Sequence, residues 1–90
     1  MKRAHIIISG YVQGVCFRYF TKIEARKLGV KGFVRNVSNG DVEVVAEGNE
    51  KEINELINFC RKGPRLSGIA NLKIEYEEFK GEFDDFTVKF

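Results

Sequence analysis

The chain alternates between short β-branched stretches and amphipathic stretches, and this alternation predicts the order of its secondary structure. Residues 4–11, 32–37 and 42–47 are short, apolar and rich in β-branched side chains, which is typical of strands. Residues 18–28 instead carry apolar side chains at helical spacing and are followed by Gly29, which suits a helix C-cap. The helix is expected to bury one face, formed by Phe17, Phe20, Thr21, Ala25 and Leu28.

A tight turn separates the second and third predicted strands. Ser38-Asn39-Gly40-Asp41 has Asn-Gly at its centre, where a hairpin turn requires positive φ. Side chains alternate along a strand, so the apolar residues of 42–47 face one way while Glu43 and Glu47 face the other. We expect both glutamates to lie in solvent beside lysine or arginine.

The second half of the chain predicts another helix and two strands. Asn49 can cap the helix, with Glu52 as its reciprocal partner three residues later, and Gly63-Pro64 ends it. Its apolar stripe consists of Ile53, Leu56, Ile57 and Cys60. Residues 69–79 and 83–90 then alternate as strands, and the last strand places Phe86, Val88 and Phe90 on one side.

The resulting order is βαββαβ plus a C-terminal strand, which indicates an α+β fold. Each helix has one apolar stripe to bury, so both are expected on one face of an antiparallel sheet. This arrangement is a ferredoxin-like α/β sandwich, and 90 residues are expected to form a single domain, residues 1–90. The fold by itself does not indicate a function, because many activities share it.

Charge and cysteine content narrow the functional class. The 15 basic and 13 acidic side chains give a net charge of +2, which is too balanced to indicate a nucleic-acid partner. Cys16 and Cys60 are expected to be reduced thiols, because two cysteines in an ordinary chain do not form a disulfide framework. No stretch is long enough to span a bilayer. We therefore expect a cytoplasmic protein with no membrane partner.

The run from Gly10 to Arg18 is the strongest candidate for chemistry. It joins a strand to a helix, and its glycines at positions 10 and 14 allow a tight turn in which amide N–H groups converge near the positive end of the helix dipole. Such a loop can bind an anion, with Arg18 as a planar two-pronged donor. A plain strand-to-helix turn explains the spacing equally well. Arg18 in the first helical turn favours the anion, because a purely structural arginine prefers the last turn.

Asn36 near the end of the second strand is a second candidate. Asparagine is unfavourable within a strand, and the simplest alternative is that its side chain bonds to the backbone of the following turn. Taken by itself, Asn36 favours that alternative. His5 is the only histidine and is expected to be a half-buried strand residue, and no cluster of His, Cys or carboxylates has metal-ligand spacing. The sequence therefore predicts no metal site and no cofactor.

Taken together, the two runs resemble a known family. Gly10-x-Val12-Gln13-Gly14-Val15-x-Phe17-Arg18 and Gly32-Phe33-Val34-Arg35-Asn36-x-x-x-Gly40-x-Val42-x-x-x-x-x-Gly48 are similar to the two signature stretches of acylphosphatase. The resemblance implies a metal-free enzyme that hydrolyses the carboxyl–phosphate bond of acyl phosphates. It implies that Arg18 binds phosphate and that Asn36 positions the attacking water. The implied phosphate-binding loop consists of Gln13, Gly14, Val15, Cys16, Phe17 and Arg18.

A covalent mechanism through cysteine is not supported by the spacing. Cysteine phosphatases resemble Cys-x5-Arg, but Lys22 stands six residues after Cys16 and Leu66 stands six after Cys60. We therefore expect no covalent intermediate, and we expect Cys16 to be a small apolar side chain turned inward. Hydrolysis of an anhydride with a carboxylate leaving group needs positioning and charge stabilisation rather than a nucleophilic side chain.

Two other functions fit the same order of elements. Lys31-Gly32-Phe33-Val34 resembles the start of an RNA-recognition consensus, but Arg35, Asn36 and Val37 then replace the alternating aromatic residues. A regulatory domain that binds a small ligand is the second alternative. Our prediction remains a monomer acting on a small acyl phosphate and releasing inorganic phosphate, with no nucleic-acid partner. A salt bridge from the C-terminal carboxylate to Arg18 is left open.

Overall fold

The computed structural model describes residues 1–90 and contains the seven elements in the predicted order. They are β1 (Lys2–Tyr11), α1 (Phe17–Leu28), β2 (Lys31–Asn36), β3 (Val42–Gly48), α2 (Glu50–Lys62), β4 (Gly68–Glu77) and β5 (Phe86–Lys89). The ferredoxin-like α+β class is confirmed. The largest boundary difference is at β5, which begins at Phe86 instead of residue 83. Neither helix is long and apolar enough to cross a membrane.

The strands form one sheet in the order β4-β1-β3-β2-β5. The pairs β1–β3, β1–β4 and β2–β3 are antiparallel, as predicted. The expectation of an entirely antiparallel sheet is wrong at one edge, because β5 runs parallel to β2. The connection after β4 crosses from one edge of the sheet to the other, and β5 therefore enters beside β2 in the same direction. This pairing brings the C-terminal end of the chain close to the start of α1.

The core lies between the sheet and the two helices. Alternate residues of β1 and β3 fill its sheet side: Ala4, Ile6, Ile8, Val42, Val44 and Ala46. The stripe of α2 is buried as predicted, and burial raises the pKa of the Cys60 thiol to about 12, which keeps it inert. In α1, Phe17, Thr21 and Ala25 are buried, but Phe20 is 45% exposed. The three buried residues are four positions apart and therefore form one narrow inward face of the helix. Phe20 lies beside that face, and its ring contacts the Tyr19 ring.

The opposite face of the sheet holds a buried ionic network, and the expectation that Glu47 faces solvent is wrong. Glu47 is only 3% exposed, because the connection after β4 covers it. Its carboxylate accepts hydrogen bonds from Arg3 at 3.1 Å and from the Lys80 N–H at 2.9 Å, while Arg3 also donates to Glu82 at 2.7 Å. Glu43 is also largely covered and pairs with Arg35 and His5. The expected pairing with basic residues is therefore confirmed, but in a covered layer.

Acid is expected to weaken this layer. Burial alone would raise the pKa of the Glu47 carboxyl, but hydrogen bonds from the Lys80 N–H and from Arg3 outweigh burial and lower it. Since the folded pKa lies below the unfolded one, this stabilisation is complete above the ordinary glutamate pKa and is lost as pH falls through the folded pKa. We expect the thermal midpoint to fall between roughly pH 5 and 3, and Glu47→Gln to show a smaller fall. An equal fall in both proteins would contradict this assignment.

Candidate active site

The connection between β1 and α1 has an unusual backbone. Gly14 adopts φ 77° and Cys16 adopts φ 61°, and Cys16 is the only non-glycine residue of the protein with positive φ. Cys16 is also the N-cap of α1, where its side chain makes no capping hydrogen bond. A cysteine in the left-handed region is strained, and such strain is concentrated at functional sites. Since the Cys16 side chain does not cap α1, the loop leaves the helix N-terminus uncapped.

The N–H groups of this loop make no well-aligned hydrogen bond to another group of the protein. Outside the helices and strands, no backbone hydrogen bond has its donor between Gln13 and Tyr19, and the first bond of α1 runs from the Phe20 N–H to the Cys16 carbonyl at 3.1 Å. The first turn of α1 also contains no acidic residue. A plain strand-to-helix turn would satisfy these donors with a cap. The loop instead leaves them open at the positive end of the helix dipole.

The second helix of the same protein provides an internal comparison. Asn49 and Glu52 form the predicted capping box of α2, with hydrogen bonds of 2.8 and 3.1 Å, and the first turn carries two acidic residues. Its N-terminus is thus satisfied both by hydrogen bonds and by charge. The open N-terminus of α1 is therefore a property of this loop and not of the protein's helices in general.

The prediction that Cys16 turns inward is wrong. Cys16 is exposed, whereas Val15 and Phe17 on either side are buried. The Cys16 side chain belongs to a cavity beside the loop and not to the core. Cys16 therefore lines the open side of the loop.

A cavity of about 600 Å³ opens beside the loop. Its wall includes Gly14, Cys16, Phe17, Arg18 and Asn36. The structure thus brings together the two predicted catalytic residues and most of the predicted loop, although the two runs are far apart in sequence. Gln13 and Val15 do not line the cavity. The lining contains no acidic side chain and no histidine.

Arg18 is held by the C-terminal end of the chain. Its guanidinium donates to the Lys89 carbonyl at 3.3 Å and lies 4.8 Å from the ring centroid of Phe90. It forms no ion pair with an acidic side chain, so most of its donors stay open towards the cavity. The salt bridge from the C-terminal carboxylate to Arg18, which the sequence left open, is not formed; the chain end contacts Arg18 through the Lys89 carbonyl and the Phe90 ring instead. Phe90 does not join Phe86 in the core, because it lies beyond the end of β5 and is fully exposed.

Asn36 is the last residue of β2 and is half-buried in the cavity wall. Its side chain makes no hydrogen bond to the protein, so the simpler interpretation, a bond to the following turn, is wrong. Asn39 fills that role instead, since its side-chain oxygen accepts a hydrogen bond from the Asp41 N–H at 3.0 Å. The Asn36 amide is therefore available to a ligand or a water.

Gln13 has a side-chain contact that sequence reasoning missed. Its Nε2 donates to the carbonyls of Val37 and Asp41, each at 2.8 Å, on the two sides of the hairpin turn. This amide links the loop directly to the hairpin that carries Asn36. Only the backbone of Gln13 was expected to matter, and no local sequence signal indicates the contact. The link thus joins the segment that leads to Arg18 with the turn that follows Asn36.

These features define a small α+β sandwich with an open site, suited to an anion, in the loop between β1 and α1. The Acylphosphatase family model matches residues 4–88, and the chain belongs to the acylphosphatase family. A relative named Acylphosphatase from Syntrophus aciditrophicus (strain SB) is 47% identical over 88 residues, which cover 98% of this chain and 92% of the relative. Another Acylphosphatase, from Moorella thermoacetica (strain ATCC 39073 / JCM 9320), is 48% identical over 80 residues, covering 89% and 86% of the two chains.

Solved structures agree with this assignment. The crystal structure of acylphosphatase from Bacillus subtilis has a TM-score of 0.96 to this chain, with 31% identity and full coverage of both chains. The chain is thus an enzyme of the acylphosphatase type, a hydrolase, and the sequence resemblance is confirmed. The RNA-binding and ligand-regulatory alternatives are not favoured.

Proposed function

We propose that this protein hydrolyses acyl phosphates to a carboxylate and inorganic phosphate, without metal, cofactor or covalent intermediate. One observation carries the proposal: the unoccupied N–H groups of the loop, Arg18 and Asn36 share a single cavity. Family membership supports the same reaction. A carboxylate is a good leaving group, so the reaction requires positioning and charge stabilisation more than acid catalysis.

The phosphoryl group occupies the mouth of the loop in this proposal. Backbone N–H groups from Gln13 to Arg18 donate to its oxygens, and the guanidinium of Arg18 donates from the side. Donors that are already in place cost no reorganisation when charge develops in the transition state. The cavity wall carries three basic side chains and no acidic side chain, which favours binding of a dianion.

The Asn36 side chain orients the attacking water in this mechanism. The water oxygen forms a bond to phosphorus, the bond from phosphorus to the acyl oxygen breaks, and its electron pair leaves with the carboxylate. The cavity wall offers no acidic side chain or histidine as a base. The proton of the water therefore passes to a phosphoryl oxygen, and the products are the carboxylate and dihydrogen phosphate.

Hydrolysis of benzoyl phosphate in the presence of a chelator tests this function. We expect turnover to be unchanged by EDTA, and inorganic phosphate to inhibit competitively because it binds the same loop. The control is the same assay on protein to which Mg²⁺ has been added after chelation. Loss of turnover on chelation, restored by the metal, would contradict the metal-free mechanism.

Gln13→Leu is expected to lower kcat by about tenfold while inhibition by phosphate stays nearly unchanged, because a loss of roughly 1.4 kcal/mol in positioning corresponds to one decade. The substitution removes both donors to the hairpin but keeps the loop backbone. In an Asn36→Ala background, the same change should cost little more, since residues that act together are not additive. A full tenfold loss in both backgrounds would show that Gln13 acts independently of Asn36.

We also propose that the chain acts as a single-domain monomer in the cytoplasm. The assigned site is formed within one copy of the chain, so the proposed activity does not require an oligomer. One continuous hydrophobic cluster supports a single domain over residues 1–90. The free thiols of Cys16 and Cys60 are consistent with a reducing compartment. The chain's proposed substrate is a small acyl phosphate, its proposed product is inorganic phosphate, and no nucleic-acid partner is proposed.

A further inference from the structure

The cavity is larger than the phosphoryl group requires. A volume of about 600 Å³ is in the range of sites that enclose a whole small molecule, about 300–1,000 Å³. The phosphoryl group occupies only the end formed by the loop and Arg18. The rest of the cavity is therefore available to the acyl portion of the substrate, and the residues that line it determine which acyl groups bind well.

Three basic side chains of α1 line this cavity, at positions 18, 22 and 26. Arg26 is already engaged, since it donates to the Asp85 carboxylate at 2.9 Å and to the Phe86 carbonyl at 3.0 Å. Arg18 is assigned to the phosphoryl group. Lys22 remains: it is half-buried, it forms no ion pair with an acidic side chain, and its ammonium lies 5.4 Å from the ring centroid of Tyr19.

The spacing separates Lys22 from the phosphoryl site by one helical turn. Four residues correspond to about 6 Å along a helix axis, and side chains four residues apart share one face. A ligand bound at Arg18 can therefore reach Lys22 through a short acyl chain. No aspartate or glutamate in the cavity lining compensates the positive charge of Lys22.

We propose that Lys22 binds a second anionic group, a carboxylate or a phosphate, on the acyl portion of the substrate. The preferred substrates are then acyl phosphates whose short acyl chain ends in an additional anion. This inference rests on the proposed function, because it places the phosphoryl group at Arg18. It makes Lys22 a specificity residue with no part in the bond-breaking step.

Binding of two matched phosphonates tests the subsite without any turnover. 3-Phosphonopropionate and propylphosphonate have the same chain length and differ in the terminal carboxylate. We expect the wild-type protein to bind 3-phosphonopropionate about fivefold more tightly in calorimetry at low salt, and Lys22→Gln to remove this preference. Lys27→Gln is the matched control, because Lys27 is an exposed lysine of the same helix outside the cavity. Equal affinity of the wild-type protein for both phosphonates would overturn the proposal.

A kinetic comparison separates the subsite from the phosphoryl site. Lys22→Gln should raise KM about fivefold for succinyl phosphate and leave both KM and kcat for acetyl phosphate unchanged. An equal loss on both substrates would overturn the proposal, because Lys22 would then act on the phosphoryl group. Absence of acyl phosphate hydrolysis by the wild-type protein would count against the proposed function instead, and the phosphonate affinities would still decide whether the subsite exists.

Discussion

Arg18→Ala is expected to abolish phosphate binding and to lower kcat by about a hundred- to a thousandfold, the usual effect of removing one oriented donor to developing charge. The guanidinium has no acidic partner in the protein and faces the cavity from the first turn of α1. Its removal leaves the loop N–H groups as the only donors to the phosphoryl oxygens. Benzoyl phosphate hydrolysis and inhibition by phosphate measure the two effects.

Two further variants make this result specific. Arg61→Ala removes an exposed arginine of α2 outside the cavity and should leave both quantities unchanged. Arg18→Lys keeps the charge but loses the planar two-pronged geometry, so it should recover only part of the activity. Normal inhibition of Arg18→Ala by phosphate would exclude Arg18 from the phosphate site.

Asn36→Ala is expected to lower kcat by at least about a hundredfold while the inhibition constant of phosphate stays close to that of the wild type. The Asn36 side chain makes no hydrogen bond to the protein, so its loss should not disturb the hairpin, which Asn39 and Gln13 hold. Only the position of the attacking water is affected. Asn36→Ala should therefore lower kcat without weakening phosphate inhibition, whereas Arg18→Ala should lower kcat and weaken phosphate inhibition.

Asn58→Ala serves as the control, because Asn58 is an exposed asparagine of α2 outside the cavity. It should match the wild-type enzyme in both kcat and inhibition by phosphate. Near-normal turnover by Asn36→Ala would mean that the water is positioned by another group. Weaker phosphate inhibition in that variant would assign Asn36 to binding instead.

Local patterns predicted the elements well because their causes are local. The alternating residues of β1 and β3, the stripe of α2 and its capping box depend on neighbours within one element. The loop before α1 was also predictable, since glycine spacing and an arginine in a first helical turn are local signals. The two runs that carry Arg18 and Asn36 resembled a family signature, and the fold places both in one cavity.

What could not be predicted depends on contacts between distant segments. Glu47 is buried only because the connection after β4 folds over it, and β5 is parallel to β2 only because that connection crosses the sheet. Gln13 reaches carbonyls of a hairpin more than twenty residues away. Cys16 was expected to turn inward as a small apolar side chain, but its positive φ is a property of the folded loop and has no signal in the sequence.

The central claim is that unpaired peptide N–H groups at the start of α1 hold the phosphoryl group together with Arg18. A titration of ¹⁵N-labelled protein with inorganic phosphate, followed by amide chemical shifts, observes those groups one by one. We predict large, saturable shifts concentrated at Gly14 to Tyr19, with a dissociation constant equal to the inhibition constant of phosphate. Shifts scattered over surface lysines, with the amides of this loop unmoved at saturation, would contradict it.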